Sequence, residues 1–578
     1  MGHLTTWLLL ILFSGALSAT EYDVSPIGND ANSGLIGSPF RQIRQALTVV
    51  QPADVILVED GQYAGFTISG LNGTSTAPIT IQAAGSGAQV MVTTDRSDNR
   101  DTIFISLCSH IIIDGLTSFN ANRAAVRIDQ SSDITIRNAT FGNNAVWGIF
   151  TDFSDDTVLQ NNECYGSVQQ HGIYVSNSSQ RPIISLNRVH DNHDSGIQIN
   201  ADLTAGPPGL TSGALIERNT LWNNGVGGGS TINLDGVQDS IVRNNLLYEC
   251  HATGIVNYMG FGAAGPVGMQ ILNNTVDIAA DGRWGLVMYS TAGSNLVRDN
   301  LFSNENASNG ALNYLSPSDA MNTDSANNIF CGASNVTDDG ESSQISMSAW
   351  QSGGNEPRSI VSSLASLVIG NLDYHLLVDS PAIGAGAADG VTDDLDGDSR
   401  PPGGPIDVGA YQHPSGSTTA STTTGSTVGT TTGAATAGGG GSATGSASTT
   451  ASTTSGTGQG SASATTGGTA GTGASVPVTS SPGSGGSSGG GCGLGAGGAL
   501  GILLVVSLAR RRHLPGAVAV SGVPGAGLEA MPPEIGMDED PASERGHSQG
   551  QGERMGPRIH TVFSHHRTHP ANIPTVIM

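Results

Sequence analysis

Asp129 and Asp152 stand 23 residues apart, at the same place in two successive copies of a repeating pattern. If each copy is one coil of a stack, the two carboxyls lie about 4.8 Å apart, the spacing of neighbouring strands. That is close to the roughly 5–5.5 Å between the acid and the nucleophile of retaining glycosidases. It also suits a shared divalent cation, or a pair in which like charge raises one pKa. His171 and Asp194 fall in the next two copies and could supply a general base or acid; Arg127 could stabilise charge. Around them are residues suited to binding: Trp147, Tyr174, Gln198, Asn200, Asn233, Asp235, Tyr258 and Tyr289. Aromatic faces stack on sugar rings, while amides and acids bond hydroxyls. The competing reading is that the exposed face of any repeat protein carries such residues, and that the stack is only a scaffold for an adhesin or structural head.

The elements that must position these residues come from the repeat itself. An asparagine recurs at Asn138, Asn162, Asn187, Asn219, Asn245, Asn274, Asn300 and Asn328, at gaps of 24 to 32 residues. A period in this range implies stacked units, none able to bury its apolar face alone. Runs such as Ile134-Thr135-Ile136 and Gly196-Ile197-Gln198-Ile199-Asn200 alternate with period 2, which predicts strands. No copy contains a helical stretch long enough for a crossover. Three short strands per copy predict a parallel β-helix, with the recurring asparagine at a turn. There it would tolerate left-handed backbone angles and bond its counterpart in the next coil. Alternation directs Ile149, Ile173, Ile197, Ile232 and Ile255 inward. It leaves outside one row of Arg127, Phe150, Tyr174, Gln198 and Asn233, and a second of Asp129, Asp152, Ser176, Asn200, Asp235, Tyr258 and Tyr289. The residues before the strand glycines, Trp147, His171, Ser195, Thr253 and Trp284, are expected to be exposed.

This pattern resembles the right-handed parallel β-helix proteins, among them pectate-lyase-like enzymes and many bacterial surface proteins. The resemblance implies an all-β solenoid over about 300 residues and leaves the activity open. Within that group, enzymes that abstract a proton with lysine are poor guides, because this chain has no lysine and its 22 basic residues are all arginine. Motifs like those of polygalacturonases are also absent, and His190-Asp-Asn-His-Asp194 is only a loose echo of the alginate epimerase pattern. The expected function is binding, with or without cleavage, of extracellular polysaccharide along the outer rows.

Residues 1–20 read as a secretory signal, with an apolar core at Trp7–Phe13 and small residues at 16–19. Residues 21–100 hold the first strands and a capping helix, which Ser38 as N-cap and Pro39 would start, with Phe40, Ile43, Leu47 and Val50 on one face. Regular coils fill 101–331, and 332–413 is a less regular C-terminal cap. There Asp394, Asp396 and Asp398 alternate like the start of a calcium loop but lack its closing glutamate; a bound Ca2+ competes with a plain Asp/Gly turn.

Residues 414–491 are a Ser/Thr/Gly stalk, expected to be disordered. At 492–512, Cys492, an apolar helix and Arg510-Arg511-Arg512 form a stop-transfer pattern. It resembles the C-terminal sorting signal of myxobacterial surface proteins, which implies processing at Cys492 and cell-surface or outer-membrane anchoring through the helix. In that family the signal ends the protein, whereas here a tail, 513–578, follows. A net charge of −26 argues against nucleic acid or anionic lipid as a partner. Cys108, Cys164, Cys250 and Cys331 are far apart, with no CxxC, and read as buried free thiols.

Overall fold

The computed structural model describes residues 19–91, 100–340 and 342–414. The predicted export signal, stalk, apolar helix, Cys492 and tail lie outside the described residues, apart from the first and last few positions. Among the described residues no helix is long and apolar enough to cross a membrane.

Three long sheets, of 12, 11 and 12 strands, form the walls of a coil stack. One coil consists of Ala124–Asp129, Ser132–Arg137 and Thr140–Gly142. Each strand pairs in parallel with its counterpart in the next coil: Trp147–Asp152, Val158–Gln160 and Glu163–Tyr165. The inward column Val126, Ile149, Ile173, Ile197, Ile232, Ile255 and Leu286 is in register and sealed from solvent. Fully burying each such side chain contributes about 1.5–3 kcal/mol. Because the side-chain period is two, slipping one residue would put the whole column in water. The four cysteines of the coils are free and buried, as expected.

The turn asparagine divides its two expected jobs between adjacent residues. Asn138, Asn161, Asn244, Asn273 and Asn327 adopt positive φ, between 52° and 57°. The residue that follows each turns inward. Asn162, Asn187, Asn219, Asn245, Asn274, Asn300 and Asn328 are buried and form a ladder. Asn187 shows the pattern: its backbone N–H and its Nδ2 both donate to Asn219 Oδ1, at 2.9 and 3.0 Å, and Nδ2 also donates to the Leu159 carbonyl at 2.8 Å. Asn138 is therefore not a rung. The ladder position in its coil is Ala139, whose N–H donates to Asn162 Oδ1.

The N-terminal helix is shorter than predicted, Ile43–Ala46, and neither Ser38 nor Pro39 starts it; Gln42 precedes it without a side-chain cap. The Phe40 backbone is instead paired with Asp23 and Ser25, which holds that stretch extended. Phe40, Ile43, Ala46 and Val50 still reach the core.

Residues 382–411 run back along the outside of the coils over the positive-φ row. Arg400, buried, donates to Asn244 Oδ1 and to the Asp407 and Gly409 carbonyls. Asn244 and Asn273 donate to the Asp393 and Asp407 carbonyls. The three alternating aspartates have separate surroundings. Asp394 is buried and accepts N–H groups from Gly397, Asp398 and Gln412. Asp396 meets His375 Nε2 at 2.8 Å, and Asp398 faces solvent. The three carboxylates serve a turn and an ion pair rather than one centre. Among the described residues no cluster of three or more His, Cys, Asp or Glu could hold a metal ion.

Candidate functional site

The strands of the 11-stranded sheet set the outer rows in the register read from the sequence. Arg127, Phe150, Tyr174, Gln198, Asn233 and Val256 share one column; Asp129, Asp152, Ser176, Asn200, Asp235 and Tyr258 share the next.

At one end of this face Arg127 binds both carboxylates, with Nη2 3.1 Å from Asp152 and 3.6 Å from Asp129. Its guanidinium lies between the rings of Phe104 and Phe150, 5.4 Å from each centroid. Such placement over aromatic faces strengthens a partly desolvated cation. Asp152 also accepts from Asn177 Nδ2 at 2.7 Å. Burial holds the Asp129 carboxyl above its ordinary pKa, against the opposing pull of Arg127. The two carboxyls are thus bridged by a cation and sit in unequal surroundings.

Beside them the aromatic side chains form a contiguous group. Trp147 lies 4.4 Å from Phe150 and 5.6 Å from Tyr174, and Phe150 stacks on Tyr174 at 5.3 Å. Trp147 Nε1 donates to Gln170 Oε1 at 2.9 Å, which fixes the indole. Asn200 Nδ2 approaches the Tyr174 hydroxyl at 3.4 Å. Burial pushes the Tyr174 pKa up to about 12, so the hydroxyl keeps its proton at neutral pH.

His171 packs edge-on against Tyr174, 5.3 Å away, and its Nδ1 accepts the Ser195 N–H at 3.1 Å. With Nδ1 so engaged, the neutral ring carries its proton on Nε2. Burial pushes its pKa down to about 3. At neutral pH it is a hydrogen-bond donor with no free lone pair. Asp194 pairs with the neighbouring His193 Nδ1, at 2.9 Å.

Other predicted positions serve the fold. Asp235 is fully buried and accepts the N–H groups of Gly260, Phe261 and Gly262, so it anchors a loop. Burial raises the Tyr258 pKa, with Asp235 adding to the effect. Tyr289 donates to Asn313 Oδ1 or the Gly340 carbonyl at the far end of the sheet. Gln198 accepts from Ser195 Oγ, and Asn233 is nearly buried. Of the residues before the strand glycines, Trp147 and His171 are half-buried, while Ser195, Thr253 and Trp284 are buried. The glycines themselves lie against the neighbouring coil: a Cβ at Gly148 would stand 2.5 Å from the Gly172 carbonyl oxygen, and one at Gly254 2.7 Å from that of Gly285.

A second aromatic feature escaped the sequence reading. On the outer side of the third wall, Tyr165, His190, Trp222 and Tyr248 stack at 5.1, 4.0 and 5.8 Å, within 8° of parallel. Tyr374, in the strand Asp373–Leu376 that follows the coils, continues the series at 5.6 Å from Tyr248. Each of the four coil residues stands three places after a ladder asparagine, which is the signal that could have found them.

The family model described as "Right handed beta helix region" matches residues 80–205. With the parallel pairing above, it makes the described coils a right-handed parallel β-helix. No curated protein sequence matches the chain. Among solved structures, pectate lyase Pel9A is 16% identical with a TM-score of 0.45, covering 68% of this chain and 97% of its own. An alginate lyase from Paenibacillus sp. is 19% identical with a TM-score of 0.37, covering 47% and 94%. The catalytic domain of a GH87 alpha-1,3-glucanase is 14% identical with a TM-score of 0.42, covering 64% and 68%.

Proposed function

We propose that this protein is exported, held at the cell surface, and binds extracellular polysaccharide along the outer face of its 11-stranded sheet. The observation that carries the reading is the juxtaposition of Trp147, Phe150 and Tyr174 with the bridged carboxyls of Asp129 and Asp152. Aromatic groups offer apolar area for sugar rings, and neighbouring acids and amides bond hydroxyls. Export and anchoring rest on the signal-like residues 1–20 and on the Cys492, apolar-helix and arginine pattern.

Cleavage is the second reading, favoured by the unequal surroundings of the two carboxyls. Environments that push paired carboxyls apart separate an acid from an anion. Asp129, whose carboxyl pKa burial raises, would be the acid, with Asp152 its partner carboxyl and Arg127 the charge stabiliser. His171 would donate from Nε2 and not act as a base. The test is affinity electrophoresis and calorimetry of the full chain against a glycan panel, with assays for new reducing ends and for unsaturated uronate products. Retention lost in Tyr174→Ala supports the binding face. Products that vanish in Asp129→Ala or Asp152→Ala establish cleavage. Failure to retain any glycan sinks the binding reading and leaves a scaffold.

A further inference from the structure

Resting on the polysaccharide reading, we infer that this face selects neutral glycans and rejects uronate-rich, anionic ones. Across the described strands of the 11-stranded sheet Arg127 is the single cation, and it stands against the carboxyls of Asp129 and Asp152, while Asp235 is buried in its own loop contacts. Its guanidinium is already engaged by two carboxylates. Arg123, at the start of the same strand region, is buried in a bidentate pair with Asp101. Neither is free to meet an incoming carboxylate, and replacing a buried partner carries a desolvation penalty. His171 cannot substitute, because its Nδ1 is held by the Ser195 N–H. Asp202, in the loop beyond Asn200, adds a further negative charge near the Tyr174 hydroxyl.

A sugar carboxylate laid along these rows would face like charge at coil spacing, without a cation to bond. The whole molecule repeats the sign at long range, with a net charge of −26. Like charge slows encounter and disfavours the complex. A shared divalent cation would reverse this logic, but the carboxyls of Asp129 and Asp152 already have Arg127 between them. What the face offers instead is aromatic area at Trp147 and Tyr174, backed by the buried Phe150, with uncharged hydrogen-bonding groups at Asn200 and the Tyr174 hydroxyl. Those recognise hydroxyl-bearing neutral rings.

The experiment is affinity electrophoresis of the full chain in gels containing xylan, mannan, β-glucan or α-1,3-glucan, and in parallel gels with polygalacturonate or alginate. Each is run at about 20 mM and about 300 mM salt, which shortens the screening length severalfold, with EDTA or with calcium. Retention by at least one neutral glycan, insensitive to salt, abolished by Tyr174→Ala in a protein with an unchanged circular dichroism spectrum, supports the inference when anionic glycans bind roughly tenfold more weakly or not at all. Equal or tighter retention by polygalacturonate or alginate in EDTA overturns it while leaving the polysaccharide reading intact. Anionic retention that appears only with calcium overturns it in favour of a cation bridge. No retention by any glycan overturns both.

Discussion

Asn328 Nδ2 donates to Glu356 Oε2 at 3.1 Å and ends the asparagine ladder on a buried carboxyl. Every rung before it points the same way, with Nδ2 donating to the Oδ1 of the next coil. The amide dipoles add, and their positive end meets the acceptor. Ser359 completes the terminus by accepting the Asn328 N–H and donating to the same carboxyl oxygen. Glu356→Leu should therefore destabilise the protein by about 2–4 kcal/mol, because Asn328 and Ser359 lose a partner where water cannot replace it. Urea unfolding measures this; a loss below about 0.5 kcal/mol would show that the ladder needs no terminal acceptor.

A rung in the middle carries more. Replacing Asn219 by alanine removes the acceptor for the N–H and the Nδ2 of Asn187 and leaves the Ile184 carbonyl without its donor. The expected loss is about 3–5 kcal/mol by the same desolvation argument. Ala139, in an early coil, is the natural comparison: there alanine ends the ladder, and Ala139→Asn should be tolerated better than Asn219→Ala. Equal unfolding midpoints for Asn219→Ala and the parent would refute the cooperative ladder.

On the proposed binding face, Tyr174→Ala should weaken glycan retention by about 10- to 100-fold, the range expected when a central aromatic contact is removed. Trp147→Ala should lower it by a similar amount. Tyr289→Ala, at the far end of the sheet, should leave it within about twofold while costing local stability through Asn313 and Gly340. Calorimetry distinguishes these; equal losses at all three sites would mean that the ligand lies along the whole sheet.

The walls were legible because strand alternation is a local property and the apolar columns repeat: Ile149, Ile173 and Ile197 sit where period 2 put them. The outer rows follow from the same alternation, and Arg127, Phe150 and Tyr174 share one column. What the sequence could not carry was competition for the same group. Asp235 occupies an outer position, yet three backbone N–H groups of 260–262 claim its carboxylate. Asp394 likewise closes its own turn. Ser38 and Pro39 have helix-start chemistry, but the Phe40 backbone is taken by Asp23 and Ser25. The shift from Asn138 to Ala139 has the same origin: the left-handed turn residue and the buried rung are neighbours, and both are often asparagine.

The C-terminal strap gives the molecule a pH dependence that can be assigned. Asp299 lies wholly buried beneath it, accepting the Ala387 N–H at 3.0 Å through Oδ1, while Oδ2 has no partner. Burial pushes its pKa up to about 7; the nearby Asp389 adds to the rise, and Arg298 and Arg400 oppose it. In the unfolded chain an aspartate titrates near about 3.9. The folded state therefore binds this proton more tightly than the unfolded state. The stability it contributes is fully present below about pH 3.9 and is lost as pH rises through about 7. Asp299→Asn should flatten that part of the profile, so that the difference in urea midpoint between pH 5 and pH 8 shrinks relative to the parent. Subtracting the variant from the parent removes the titration of all other groups that are unaffected by the change. Parallel pH profiles for the two proteins would show that Asp299 is already ionised under the strap, with Arg298 and Arg400 outweighing its burial.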